Sequence, residues 1–256
     1  MVNTGEKGHE PEVIQRARAS IPTSLNITPQ TTPVVAFGRP QLARVATLGI
    51  NPSDKEFNKS DGSLLPQDRK RLVDRETLNI DDQTELSLED AARVVEGGYS
   101  YFENKDKVYK TWFSWMETYA VRPSGASYFD GTACHLDLVQ WATSPVWRDL
   151  EPDRVQKVLL DSDVEFLRFQ LTTYKIPLLL LNGRAVLNQF TELRIADLKE
   201  DKNVSRREGA RGCQFFVGTF AGTKVLGWTN NIPSQTPQSN RETISDWITR
   251  HASAKG

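Results

Sequence analysis

Asn51 stands between Gly49-Ile50 and Pro52-Ser53, directly after the apolar run Ala43-Arg-Val-Ala-Thr-Leu48. Apolar and β-branched residues that stop at Gly-x-Asn-Pro-Ser predict a buried strand ending in a sharp turn. The side-chain carbonyl of Asn51 is able to orient a water molecule, although an amide has no useful basicity. Asp54 is the nearest carboxylate base. It has a second reading, because Ser53-Asp-Lys-Glu56 is also a capping box and Asp54 suits a first helical turn. Phe57 suits either stacking on a planar ligand or ordinary packing.

A second polar pair sits in Gly131-Thr-Ala-Cys-His-Leu-Asp-Leu-Val139, where His135 and Asp137 interrupt an otherwise apolar strand. His9 and His251 lie near the ends, which leaves His135 as the interior histidine. A lone strand-end histidine is more often a satisfied structural residue than a ligand, but its company here argues for a site. A carboxylate only accepts hydrogen bonds, so Asp137 would pair with an exocyclic amino group. The competing reading is a helix cap or a salt-bridge partner. Register decides, since a slip of one residue turns the side chain to the other face.

The elements that must position these groups alternate. Val34–Phe37 and Ala43–Ile50 read as strands joined in a small edge hairpin, and Gly131–Val139 as the next strand. Ile176-Pro-Leu-Leu-Leu-Leu181 is a wholly apolar run of the kind buried on both faces of a parallel sheet. Cys213–Phe220 and Thr223–Trp228 form a hairpin around Ala221-Gly222, which leads into Asn231-Ile-Pro-Ser234. Helices are expected from Glu10 to Ser20, from Ser87 through Val95, from Asp106 to Tyr119, from Asp153 to Tyr174, from Arg184 to Leu193, and from Ser239 to about His251. The aromatic residues of 106–119 are expected to face the core. Alternation of this kind implies an α/β fold, three layers (α/β/α) around a mostly parallel four-stranded sheet. Residues 1–32 read as an N-terminal helix and connector, and 33–256 as one domain with a charged insertion at about 58–105. Ligands of open α/β sheets bind at the carboxyl ends of the strands, where both Pro-Ser loops lie.

Composition narrows the function classes. The 256 residues carry 32 basic and 33 acidic side chains, so no global field draws the chain to polyanions, and a nucleic-acid surface must be local. Two cysteines are too few for a disulfide framework or a thiolate metal site. The polar start and the absence of a membrane-length apolar run imply a cytoplasmic protein without a membrane partner. No nucleotide-triphosphate loop, dinucleotide fingerprint or metal-ligand cluster is present, and no cofactor is expected.

These residues together resemble the uracil-DNA glycosylase superfamily, over roughly residues 43–250. Gly49-Ile50-Asn51-Pro52 is similar to the Asn-bearing form of the family's first motif. Ile232-Pro233-Ser234 occupies the place of its second, with Ile232 where better-known members carry His. Leu178–Leu181 with Asn182-Gly183 looks like the third strand, and His135–Val139 falls where the family reads its pyrimidine. The resemblance implies a monofunctional DNA glycosylase that flips a pyrimidine and hydrolyses its N-glycosidic bond. Asn51 or Asp54 would handle the water, and Ile50, Phe57, His135 and Asp137 would hold the base. Ser53, Asn231, Ser234 and Gln235 would meet the DNA backbone, with Arg184, Arg206 and Arg207 as basic support.

Two substrates are open: uracil, in base excision repair, or a modified cytosine such as a hydroxymethylated or glucosylated one, in antiviral defence. Asp137 favours the second, and the insertion at 58–105 would shape a wider pocket for a bulky base. DNA is the implied partner and a monomer the implied state. The alternatives are a non-catalytic DNA-binding module of the same fold and, more weakly, a hydrolase of free nucleosides or nucleotides.

Overall fold

Strands without an alternating polar face need cover on both sides, and the chain supplies it from two sets of helices. The computed structural model describes residues 9–205, 212–234 and 236–253. Among these, six strands form one sheet: β1 (Val45–Gly49), β2 (Ala133–Asp137), β3 (Leu178–Asn182), β4 (Leu198–Glu200), β5 (Phe215–Phe220) and β6 (Thr223–Trp228). Their order is β2-β1-β3-β6-β5-β4. The first four are parallel, and β5 and β4 continue the sheet antiparallel beyond β6.

The fold is therefore α/β, but its sheet is mixed and six-stranded rather than a four-stranded one. The two strands beyond the parallel four are β5, the expected hairpin partner of β6, and the edge strand β4. Leu198-Lys-Glu200 has no apolar alternation to read, and it becomes a strand by pairing with Gly218, Val217 and Phe216.

The helices are α1 (Pro11–Arg18), α2 (Arg75–Leu78), α3 (Leu88–Tyr99), α4 (Lys110–Met116), α5 (Lys157–Tyr174), α6 (Arg184–Glu192), α7 (Lys202–Ser205) and α8 (Gln238–Ser253). Alternate strand residues enter two cores, as the two-residue period of a strand requires. Ala46, Leu48, Leu136, Leu179 and Leu181 pack with Val13, Val94, Leu167 and Leu187 from α1, α3, α5 and α6. Val45, Ala133, Leu178 and Leu180 pack with Phe113, Met116, Ile244 and Trp247 from α4 and α8. Thr47 and His135 lie on the second face by the same period, and their register is Thr47 with His135 and Gly49 with Asp137.

Two local expectations are corrected. Residues 34–37 do not form a hairpin with β1. Phe37 instead exchanges both backbone hydrogen bonds with His135, at 2.9 and 2.8 Å. Val34 and Thr28 donate to the carbonyls of Gln140 and Ala142 (2.8 and 2.9 Å), so the Thr-rich connector covers the free edge of β2. The aromatic helix is also shorter than expected. It begins at Lys110, and beyond Met116 its last turns widen through Val121.

The charged insertion is built into the core. Ala91, Val94, Val95 and Tyr99 of α3 are buried. The side chain of Arg75 is fully buried. It donates to the carbonyls of Thr31 (3.1 Å), Asp81 (2.7 Å), Thr84 (2.8 Å) and Ala19 (2.8 Å), tying the insertion to the connector and to α1. No described helix is long and apolar enough to cross a membrane.

Candidate functional site

The carboxyl ends of β2, β1, β3 and β6 lie at one edge of the sheet because the four strands are parallel. A cavity of about 120 Å³ opens there. Its floor is the turn Gly49–Ser53 with His135 and Asp137, and Phe37, Glu56, Tyr109, Trp112 and Phe113 make its walls. Its volume is of the order of the ~150 Å³ that encloses a benzene ring, so one small heterocycle is the most that the space takes. A larger concavity of about 990 Å³ lies at the opposite ends of the strands, around Pro177, Lys224 and His251. The Lys224 ammonium there is already bound by the His251 carbonyl at 2.6 Å.

The orientation of Asn51 is fixed by its surroundings. Its Nδ2 donates to the Trp141 carbonyl and to Thr143 Oγ1, both at 3.1 Å. Both amide protons are engaged, so the side-chain carbonyl is the atom left to accept from a water or a ligand. Ile50 is held beside it, its carbonyl accepting from the Val139 amide at 2.9 Å.

His135 is set from behind. Tyr128, fully buried, has Thr47 Oγ1 as its hydroxyl partner at 2.5 Å, and Thr47 Oγ1 lies 2.8 Å from His135 Nδ1. Tyr128, Thr47 and His135 Nδ1 thus form one buried hydrogen-bonded chain, which holds the imidazole with Nε2 towards Asp137. Nε2 and Asp137 Oδ1 are 3.3 Å apart. This contact falls outside hydrogen-bond geometry, and Oδ1 is buried without a hydrogen-bond partner among the described residues. An acceptor left unpaired in the interior costs about 1–3 kcal/mol. Trp112, Phe113 and Phe37 enclose the His135 ring at centroid distances of 4.5, 5.5 and 5.6 Å.

Gly49 explains how Asp137 fits. A Cβ there would lie 2.3 Å from Asp137 Oδ1 and 3.0 Å from the imidazole. The glycine is required by this approach of side chains.

Glu56 is the group that the sequence reading passed over. It is buried at the cavity wall, and Tyr101 donates to its Oε2 at 2.7 Å. Burial pushes its pKa up to about 7, against the opposing effects of the Tyr101 hydrogen bond and the Arg71 charge, with Asp137 adding to the rise. Its place in a Ser-x-x-Glu pattern suggested backbone capping. Residues 54–56 make only one tight turn, in which Ser53 accepts from the Lys55 amide, and the Glu56 carboxyl turns inward instead.

Of the expected site residues, Ile50, Asn51, Ser53, His135 and Asp137 share the cavity. Asp54 does not line it and is paired with Lys55 at 3.0 Å. Phe57 is buried in the core on the α4 side, away from the cavity lining. Tyr109 and Trp112, read only as core residues, line the cavity.

Asn231, Ser234 and Arg184 are exposed at the same sheet edge, outside the cavity. Asn182 pins their loop: its Nδ2 donates to Asn231 Oδ1 (2.9 Å), and its Oδ1 accepts from Trp228 Nε1 (3.1 Å) and the Ile232 amide (3.0 Å). Ile232 is fully buried. Gln235, Arg206 and Arg207 lie outside the described residues.

No protein-family model matches the chain, and no curated protein matches its sequence.

Proposed function

We propose that the chain is a monofunctional DNA glycosylase of the uracil-DNA glycosylase type, which takes one flipped pyrimidine into the cavity formed by Gly49–Ser53, His135 and Asp137. The observation that carries this reading is the buried, unpaired Oδ1 of Asp137 in a cavity of one-ring size with aromatic walls. A carboxylate in that state would gain a partner from the exocyclic amino group of a cytosine-type base. Trp112 and Phe113 offer planar surfaces to the ring. Cleavage of the N-glycosidic bond builds positive charge on the sugar and negative charge on the departing base. Asn51, held by Trp141 and Thr143, would orient the attacking water through its free carbonyl. A proton on Nε2 of His135 would stabilise charge on the base.

An amide is a weak base, so the reaction depends on a leaving group that departs readily or on a slow rate. The cavity volume of about 120 Å³ limits the base to a single ring with at most a small 5-substituent. A glucosyl group would have to project through the mouth, since the insertion at 58–105 packs into the core and does not widen the pocket. Exposed Asn231, Ser234 and Arg184 provide a polar rim for the phosphate backbone.

The test is abasic-site formation on duplexes carrying uracil, a thymine mispair, 5-hydroxymethylcytosine or its glucosylated form. Alkali-labile breaks from a cytosine derivative, lost in Asn51→Ala, support the assignment. Tight DNA binding without breaks on any duplex replaces it with a non-catalytic binding module.

A further inference from the structure

The cavity holds two carboxyl groups from different elements, and only one of them was expected. Glu56 comes from the turn after β1, and Asp137 from the end of β2. Several charged and titratable groups face Glu56. Tyr101 donates to Oε2 while its own oxygen accepts from the Tyr109 amide at 2.9 Å. Arg71 is anchored by the Lys107 carbonyl at 2.8 Å and by the Lys55 carbonyl, and it lies 5.6 Å over the Tyr109 ring. Lys55, next in the chain, is turned to Asp54. Asp137 and His135 face the cavity from the sheet. Two buried carboxyl groups in one small space are not both charged at low cost.

Building on the glycosylase reading, we propose that Glu56 and Asp137 hold one proton between them and read the edge of a cytosine-type base as a donor and an acceptor. Protonated Glu56 donates to ring N3, and Asp137 accepts from the exocyclic amino group. Uracil offers the reverse at both places, an N–H at N3 and a carbonyl at C4, so it is rejected while the proton sits on Glu56, and would be matched only if that proton moved to Asp137. Specificity built on buried partners is steep, because the wrong base leaves the Asp137 oxygen and the Glu56 proton without partners. The direction of the Glu56 shift agrees: the group whose pKa is raised is the one that keeps the proton near neutrality.

The experiment uses the full chain and duplexes carrying 2′-fluoro-5-hydroxymethyldeoxycytidine or 2′-fluorodeoxyuridine. The fluorine opposes positive charge on the sugar and so blocks cleavage. Dissociation constants are measured from pH 6 to pH 8.5 for the wild type, Glu56→Gln and Tyr101→Phe. The wild type is expected to prefer the cytosine duplex at least ~10-fold at pH 6, with the preference falling by up to ~10-fold per pH step above Glu56's titration. Glu56→Gln, whose amide always donates, should keep the preference and lose its pH dependence. Tyr101→Phe removes a bond that favours the charged form, so the fall should move to higher pH.

Equal binding of the two duplexes, a preference constant from pH 6 to 8.5, or a Glu56→Gln profile like the wild type's would each overturn the proposal. A pH-dependent preference without base release from the cleavable duplexes keeps the paired carboxyls and discards the glycosylase. Base release with a pH-independent preference does the opposite.

Discussion

Gly49 and Asp137 are register partners across β1 and β2, and the Asp137 carboxylate occupies the space that any side chain at position 49 would need. Gly49→Ala is therefore expected to displace Asp137 and His135 together. The cost to the fold should be about 1–3 kcal/mol, typical of overpacking. Base binding should be lost at temperatures where the variant is still folded, which thermal unfolding and duplex binding measured side by side will show.

Asn51 is useful only in the orientation that its two hydrogen bonds impose. Thr143→Val removes one acceptor and leaves the Trp141 carbonyl. A loss of about 1 kcal/mol of positioning corresponds to roughly fivefold in rate. Single-turnover base release should slow by that order while duplex affinity stays unchanged.

Glu56 links stability to pH. Its ordinary value is 4.5, and in the folded protein it titrates at about 7. Between these values the folded chain keeps a proton that the unfolded chain releases. The stabilising contribution is complete below about pH 4.5 and is lost as pH rises through about 7, with a full swing of about 3 kcal/mol. Urea unfolding of the wild type and Glu56→Gln at pH 5 and pH 8 isolates this group. The variant should gain stability relative to the wild type as pH rises.

Arg75 is a structural centre away from the cavity. Four main-chain carbonyls converge on its buried guanidinium. Arg75→Leu would remove the donor from the carbonyls of Thr31, Thr84 and Ala19, and one of two donors from Asp81, which also accepts from the Thr84 amide at 3.3 Å. At about 1–3 kcal/mol for each buried carbonyl left unpaired, the loss is a large fraction of the stability of a typical domain. Denaturant unfolding should show this loss, and Arg75→Lys should recover only part of it, because an ammonium lacks the planar fork.

Much of this arrangement was legible in the chain. The apolar run Leu178–Leu181 announced a buried parallel strand, and the Gly-x-Asn-Pro turn placed Asn51 at a strand end. Two-residue periodicity put His135 and Asp137 on one face. The pairing register that aims that face at the cavity is a tertiary fact. Glu56 was hidden because a Ser-x-x-Glu pattern has a sufficient local meaning, and only burial beside Tyr101 gives it another. The cavity role of Tyr109 and Trp112 was hidden for a similar reason: spacing identifies the inward face of a helix, but not which inward residues border a void. β4 carried no periodic signal, since three residues paired at an edge need none.

The most direct test of the central claim is free-base release, measured by chromatography under single-turnover conditions from a duplex carrying 5-hydroxymethylcytosine. The wild type is expected to release 5-hydroxymethylcytosine and leave an abasic site. Asn51→Ala should release it at least ~100-fold more slowly, and Asp137→Asn should shift release towards uracil. No free base from any duplex, at enzyme concentrations where the duplex is fully bound, would contradict the account.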